Sequence, residues 1–390
     1  MQVKRPLLLI AGILLMAACL RAPITVVGPL LDVIRQDLRL DASQAGMLTT
    51  LPLLAFAGVS PFAAMLAHRY GLERALFGAL VALVLGIVLR SIGASSPALF
   101  AGTCVMGAAI AIANVLLPSL LKRDFPHHVA RLTAYYAFAM IAAAGAMSAI
   151  AVPLHNLLGR QWSISLASVA LLPVLAALLW LPQLANRTQP PAPAPRAGRA
   201  MSVWRAALAW EVAVYLGLTC FIFFAALAWL PSILRGFGYT PARAGTLHGW
   251  MQLGSAMPSL LLLPMLRRLP DQRAVALVSP AVSAVGLAGL VLIPGGAVVW
   301  VFLLGIGMGA ALILSLAFVG LRASTQRVAA SLSGMSQCVG YLLAAVGPTL
   351  CGALRQLAGT WDVPLLACLI LALAMCALGW RVGRAAQIPE

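Results

Sequence analysis

Twelve apolar runs of 19 to 26 residues follow one another along this chain, at about 7–31, 45–67, 75–93, 97–121, 130–153, 163–182, 206–231, 243–266, 274–294, 298–321, 328–350 and 363–383. A helix rises about 1.5 Å per residue and the hydrocarbon of a bilayer is about 30 Å thick, so each run can cross once. Barrel strands do not compete, because they are about ten residues long and alternate polar with apolar, whereas these runs are continuous. No soluble surface hides so much oil: 62% of the residues are hydrophobic and 9% charged, against about 45–50% and 25% in globular domains. The expectation is an all-α polytopic membrane protein with 12 transmembrane helices.

The basic residues set its orientation. Of the 26 Lys and Arg, 18 fall in the loops that are cytoplasmic if the N-terminus is inside, Lys4, Arg69, Lys122, Arg273 and Arg327 among them. Seven fall at or near the outer face, and Arg21 lies within a span. That bias places both termini in the cytoplasm. It also accounts for the net charge of +17 without nucleic acid, since the cations are scattered in ones, twos and threes between apolar runs. The seven cysteines include no C-x-x-C pair and read as small buried residues. Lys4-Arg5 and the following apolar run resemble a secretory leader, but the run continues past Arg21 and is taken as the first helix.

The longest connection carries Gln189-Pro190-Pro191-Ala192-Pro193-Ala194-Pro195 and three arginines near the midpoint. Such a stretch is extended and reads as a linker. The expected domains are therefore an N-terminal six-helix bundle over 1–182, a cytoplasmic linker over 183–205 and a C-terminal six-helix bundle over 206–390. A faint repeat supports duplicated, pseudo-symmetric halves. Asp41-Ala42-Ser43-Gln44-Ala45-Gly46-Met47-Leu48 opens helix two, and Thr240-Pro241-Ala242-Arg243-Ala244-Gly245-Thr246-Leu247 opens helix eight 199 residues later. Ala130-Arg131-Leu132-Thr133-Ala134 faces Ala330-Ser331-Leu332-Ser333-Gly334 at an offset of 200.

Covalent catalysis finds no support: there is no phosphate loop, no metal-ligand spacing, and His127-His128 lie in a loop. The chain is read as a non-enzyme without cofactors, and gradients must supply any energy. Charge inside the membrane is the informative feature, because a lone ion in hydrocarbon costs at least a few kcal/mol. Arg21 sits on the order of 20 Å along helix one, just before Pro23 and Thr25, where the helix is expected to bend. Its guanidinium either faces a central cavity and binds a small anion, or snorkels to the headgroups or pairs with Glu211. Arg90 ends helix three and is read as snorkelling to the outer interface. Glu211 is the acid within a span; it either accepts a coupling proton or reaches cytoplasmic water from the helix start. Asn114, Tyr215, Gln252, Gln337 and Tyr341 are polar groups that either glue helices or line a cavity. The glycines of Gly305-Ile306-Gly307-Met308-Gly309 read as close helix packing.

The 6+6 plan resembles the major facilitator superfamily. Ala64-Met65-Leu66-Ala67-His68-Arg69-Tyr70-Gly71-Leu72-Glu73-Arg74 is similar to its loop signature after helix two, with Ala64 in place of a glycine and His68 in place of the aspartate. More specific strings resemble the cyanate permease and 2-nitroimidazole transporter branch. They are Leu20-Arg21-Ala22-Pro23-Ile24-Thr25, Asn114-Val115-Leu116-Leu117-Pro118, Trp229-Leu230-Pro231, Leu321-Arg322-Ala323, and Gly334-Met335-Ser336-Gln337 with Gly340-Tyr341. The resemblance implies a secondary active or facilitative transporter of a bacterial cytoplasmic membrane, working by alternating access. On this reading Arg21, Gln337, Tyr341, Gln252, Tyr215 and Asn114 bind a small anionic or polar solute, with Glu211 available for proton coupling. The alternative is efflux of small heteroaromatic drugs such as nitroimidazoles. From other classes, a membrane-embedded enzyme or a receptor would lean on clustered His, Asp and Glu or on a soluble domain, and the chain has neither. The expected partners are a small-molecule solute and the bilayer, not nucleic acid, and the expected working unit is a monomer.

Overall fold

A computed structural model describes residues 6–93, 95–125, 128–159, 161–185, 201–266 and 271–388. Fifteen α-helices account for the described chain. In the first half they are α1 (Pro6–Thr25), α2 (Val27–Asp37), α3 (Ala42–Tyr70), α4 (Leu72–Arg90), α5 (Ser96–Asp124), α6 (Val129–Leu157), α7 (Trp162–Ser168) and α8 (Leu171–Trp180). In the second they are α9 (Met201–Arg205), α10 (Ala207–Gly236), α11 (Pro241–Leu266), α12 (Arg273–Leu292), α13 (Ala297–Leu321), α14 (Gln326–Ala358) and α15 (Asp362–Val382). Eleven stretches are long and apolar enough to cross a membrane, and the 26-residue α11 stands as the twelfth span. The expected spans are thus recovered, with two changes in detail.

The first span, Leu8–Asp37, is broken at Val26 between α1 and α2. Pro23 has no N–H to give the carbonyl one turn earlier, which loosens the helix there. The Thr25 hydroxyl donates back to the carbonyls of Arg21 (3.1 Å) and Ala22 (3.2 Å), capping the end of α1 from within. The sixth span is also divided, where one continuous helix over 163–182 was expected. Pro173 has no N–H to donate to the carbonyl one turn earlier, and 3₁₀-type bonds from Val169 N–H to the Leu166 carbonyl and from Ala170 N–H to the Ala167 carbonyl tighten the turn ahead of it. The Pro/Ala stretch at 189–195 lies outside the described residues, while 201–205, expected as linker, forms the short helix α9.

The helices pack into two compact units. One comprises Met1–Leu40, Leu51–Ala192 and Pro241–Gly249; the other comprises Asp41–Thr50, Pro193–Thr240 and Trp250–Glu390. In the first, α4 packs along α5, and α1 along α6 and α8. In the second, α10 packs along α14, and α12 along α13 and α15. Each unit has a close helix seam that a glycine allows. A methyl on Gly86 would lie 2.6 Å from the Met106 nitrogen, and one on Gly286, 200 residues on, 2.6 Å from the Trp300 carbonyl. Gly305, Gly307 and Gly309 likewise meet the backbones of α11 and α12, so this run serves packing as expected.

The duplication recurs in polar staples at the helix ends expected to face the cytoplasm. Glu73, 2% exposed at the start of α4, pairs with Arg123 at 2.9 Å. Adding 199 to both positions gives Gln272 and Arg322, and there Arg322 Nη2 donates to Gln272 Oε1 at 2.6 Å. Arg322 Nε also donates to the Val382 carbonyl at 2.9 Å, and its guanidinium lies over the Phe318 ring. One half therefore locks its helix ends with an ion pair, the other with a charge-assisted hydrogen bond. Near Arg322 the chain's last described residues return, with Ala323 and Ile388 forming an isolated parallel bridge.

Candidate solute-handling residues

Within the first unit, Arg21 lies half-buried one turn before the α1–α2 break, and its side chain is already engaged in a further interaction. The interruption is a local loosening rather than an unwound segment: Val26 keeps helical angles (φ −61°, ψ −25°) and donates to the Ala22 carbonyl at 3.2 Å. Asn114 is half-buried on α5, and its Oδ1 accepts from the Tyr136 hydroxyl of α6 at 3.3 Å. Helices α1, α5 and α6 pack on one another, so Arg21, Asn114 and Tyr136 belong to one contiguous group of helices. Tyr136 was not singled out from sequence. One tyrosine in an apolar helix gives no signal until its partner is known.

In the second unit α14 carries a polar stripe. Ser333, Gln337 and Tyr341 recur every four residues and so share a face. Gln337 is exposed and its Nε2 donates to Ser333 Oγ at 3.0 Å, while Tyr341 is half-buried. Gln252 on α11 is 0% exposed, and neither its amide oxygen nor its nitrogen has a partner. Tyr215 is also 0% exposed, but its hydroxyl donates to the Ala276 carbonyl at 3.0 Å and its ring meets Phe318 edge-on. Its contacts are those of a helix-packing residue. Glu211 faces two cations: Arg381 at 2.8 Å and Arg384 at 3.5 Å, in ion pairs that lack the alignment of hydrogen bonds.

The outer ends of two helices pack closely against other helices, and the two contacts are related by the repeat. In the second unit the start of α3 lies on α14: a methyl on Gly46 would be 2.6 Å from the Pro348 carbonyl, and Thr50 donates to the Ala345 carbonyl at 2.8 Å and pairs with Thr349 at 2.9 Å. In the first unit the start of α11 lies on α6: a methyl on Gly245 would be 2.8 Å from the Ser148 carbonyl. There Ser148 Oγ donates to the Gly245 carbonyl at 3.1 Å and meets His248 Nδ1 at 2.7 Å. The matched strings at 41–48 and 240–247 are thus the segments that make corresponding contacts.

Two broken or shared spans, duplicated staples and duplicated outer contacts describe a two-fold repeated helical carrier. A family model described as Major Facilitator Superfamily matches residues 13–348. The chain belongs to this superfamily. The facilitator is 47% identical to the 2-nitroimidazole transporter of Escherichia coli (strain K12), over 99% of this chain and 98% of that one. It is 26% identical to the cyanate transport protein CynX of the same strain, over 88% of each. Its backbone is similar to the crystal structure of the nucleoside transporter NupG, with a TM-score of 0.76, 12% identity and coverage of 96% and 100%. The facilitator is therefore a multi-pass membrane protein that moves a small solute across the bilayer by alternating access. Among the described residues no group of three or more His, Cys, Asp or Glu is placed to hold a metal.

Arg90 corrects the sequence reading. It is 0% exposed, and all three of its guanidinium nitrogens are buried without a hydrogen-bond partner. It does not reach for the interface. A residue count along α4 gives depth, but not the side of the helix from which the side chain leaves.

Proposed function

We infer that this facilitator carries a small anionic or polar solute across a bacterial cytoplasmic membrane, as a monomer, with 1–182 and 206–390 as its two halves and 183–205 as their linker. The observation that carries the reading is the half-buried Arg21 beside the broken first span. A guanidinium offers a planar fork of donors that matches two coplanar oxygens. Asn114 and Gln252 would supply amides. Gln337 and Tyr341 fit as lining groups, because an exposed amide at mid-span belongs against water rather than acyl chains. Tyr215 is assigned to packing, since its hydroxyl is engaged by Ala276. Glu211 is assigned to tying α10 to the end of α15 through Arg381 and Arg384. Proton coupling through Glu211 is the alternative role.

The 47% identity to a 2-nitroimidazole transporter favours a second reading, export of small nitroheterocycles. The two readings share chemistry at Arg21, because a nitro group, like a carboxylate, presents two coplanar oxygens to the fork. They part on direction. Cells with and without the protein should be challenged with 2-nitroimidazole and with cyanate. Export protects against the compound carried and import sensitises to it. Arg21→Ala and Arg21→Lys should each abolish the effect while leaving the protein in the membrane. Undiminished transport by both variants removes Arg21 from the site.

A further inference from the structure

Arg90 closes α4, one residue before a short connection in which Ile92 and Gly93 are exposed. Arginine stays protonated in proteins, so a buried Arg90 is a buried cation. Buried charges are stable only when paired or hydrogen-bonded. Among the described residues no carboxylate, carbonyl or hydroxyl accepts from any of its three nitrogens. Polar groups on the same and adjoining helices have partners of their own. Ser91 donates to Ile87 at 2.7 Å, Thr103 donates to Leu99 at 2.7 Å, and Asp37 accepts from the Trp162 indole at 2.6 Å. Asp32 takes part in other interactions.

We propose that Arg90 holds a small monoanion, taken from the outer aqueous face, enclosed at the outer end of α4 against α5. The walls set the size. Gly102 of α5 lies directly against the Arg90 backbone, and a methyl there would also be 2.6 Å from the Gly86 carbonyl, so the two helices are in backbone contact. The guanidinium has no exposure to a water-sized probe, so its neighbours must give slightly to admit even a halide or a formate-sized carboxylate, and a bulky organic anion has no room. A lipid phosphate is disfavoured because the guanidinium is enclosed by protein rather than by the bilayer. This station is distinct from the role given to Arg21 and does not depend on which solute the facilitator carries.

Purified protein in chloride-free sodium gluconate provides the test, gluconate being too large to enter. Chloride and formate are titrated at constant ionic strength while the thermal unfolding midpoint is followed. The wild type should gain several degrees with saturation, and Arg355→Gln, which lies outside the proposed solute site, should gain as much. Arg90→Gln should show no gain, and in gluconate alone it should unfold no lower than wild type, because a cation without a partner has been removed. A gain with formate but not chloride assigns the station to carboxylates; a gain with both assigns it to simple monoanions. If Arg90→Gln fails to fold, equilibrium binding of radioactive chloride and formate to wild type decides, one saturable ion per chain being expected. No gain and no binding in wild type, an equal gain in Arg90→Gln, or a gain only with added phosphatidylglycerol would overturn the proposal. None of these results bears on transport by Arg21 variants, so the two readings fail separately.

Discussion

A methyl group at position 46 should unlatch the outer end of α3. The added carbon would lie 2.6 Å from the Pro348 carbonyl oxygen and 2.9 Å from the Thr349 Cα, where ordinary contact begins at 3.4 Å. The helices must then part by about 0.8 Å, the difference between 3.4 and 2.6 Å. Both obstacles are main-chain atoms, so no side chain can swing aside. Overpacking of this kind costs about 1–3 kcal/mol. On the alternating-access reading this contact opens in another state free of the strain, and Gly46→Ala should then shift the balance toward that state about 5- to 150-fold. The helix-propensity gain of Gly to Ala, up to about 1 kcal/mol, is matched by Gly58→Ala on the same helix, where an added carbon has nothing within 4 Å. The assay is the labelling rate of Thr349→Cys by an impermeant maleimide in a background lacking the seven native cysteines. Labelling should accelerate at least about fivefold with Gly46→Ala and stay unchanged with Gly58→Ala. Equal rates for the two would refute the close-contact argument.

Arg322→Ala removes both hydrogen bonds and strands the Val382 carbonyl and the Gln272 amide; thermal unfolding should report a loss of about 2–4 kcal/mol, and Arg322→Lys should recover little because it lacks the fork. If Glu211 is the tie described above, Glu211→Gln should lower thermal stability and leave the pH profile of transport unaltered. A flattened pH profile in that variant would transfer the proton-coupling role to Glu211.

Much of the architecture was legible because the bilayer imposes a length rule on apolar runs, and twelve runs of the right length admit few alternatives. The break after Arg21 was legible from Pro23 and Thr25. The one before Pro173 was not read, although a proline at the middle of the 163–182 run removes a helical donor and permits such a break. The repeat at offsets of 199 and 200 foretold the Gly46 and Gly245 contacts only as a resemblance of strings. What each string touches came from the fold. The candidate site was less legible. Sequence gives depth along a helix but not azimuth, so Arg90 was misjudged and Tyr215 was left open between packing and lining: Arg90 is enclosed with nothing bonded among the described residues, and Tyr215 is enclosed with its hydroxyl bonded. Arg322 stood out only as part of the string Leu321-Arg322-Ala323 and Gln272 not at all, because their meaning lies in a pairing 50 residues apart in the chain.

The two outer contacts descend from one pattern yet have diverged in chemistry: a threonine pair fastens one, and a serine with an imidazole fastens the other. Selection can therefore retune either fastening alone. A lineage exposed to a new toxin or nutrient could adjust how readily one latch yields through residues that never meet the cargo, and such changes would be invisible to any survey confined to the binding pocket.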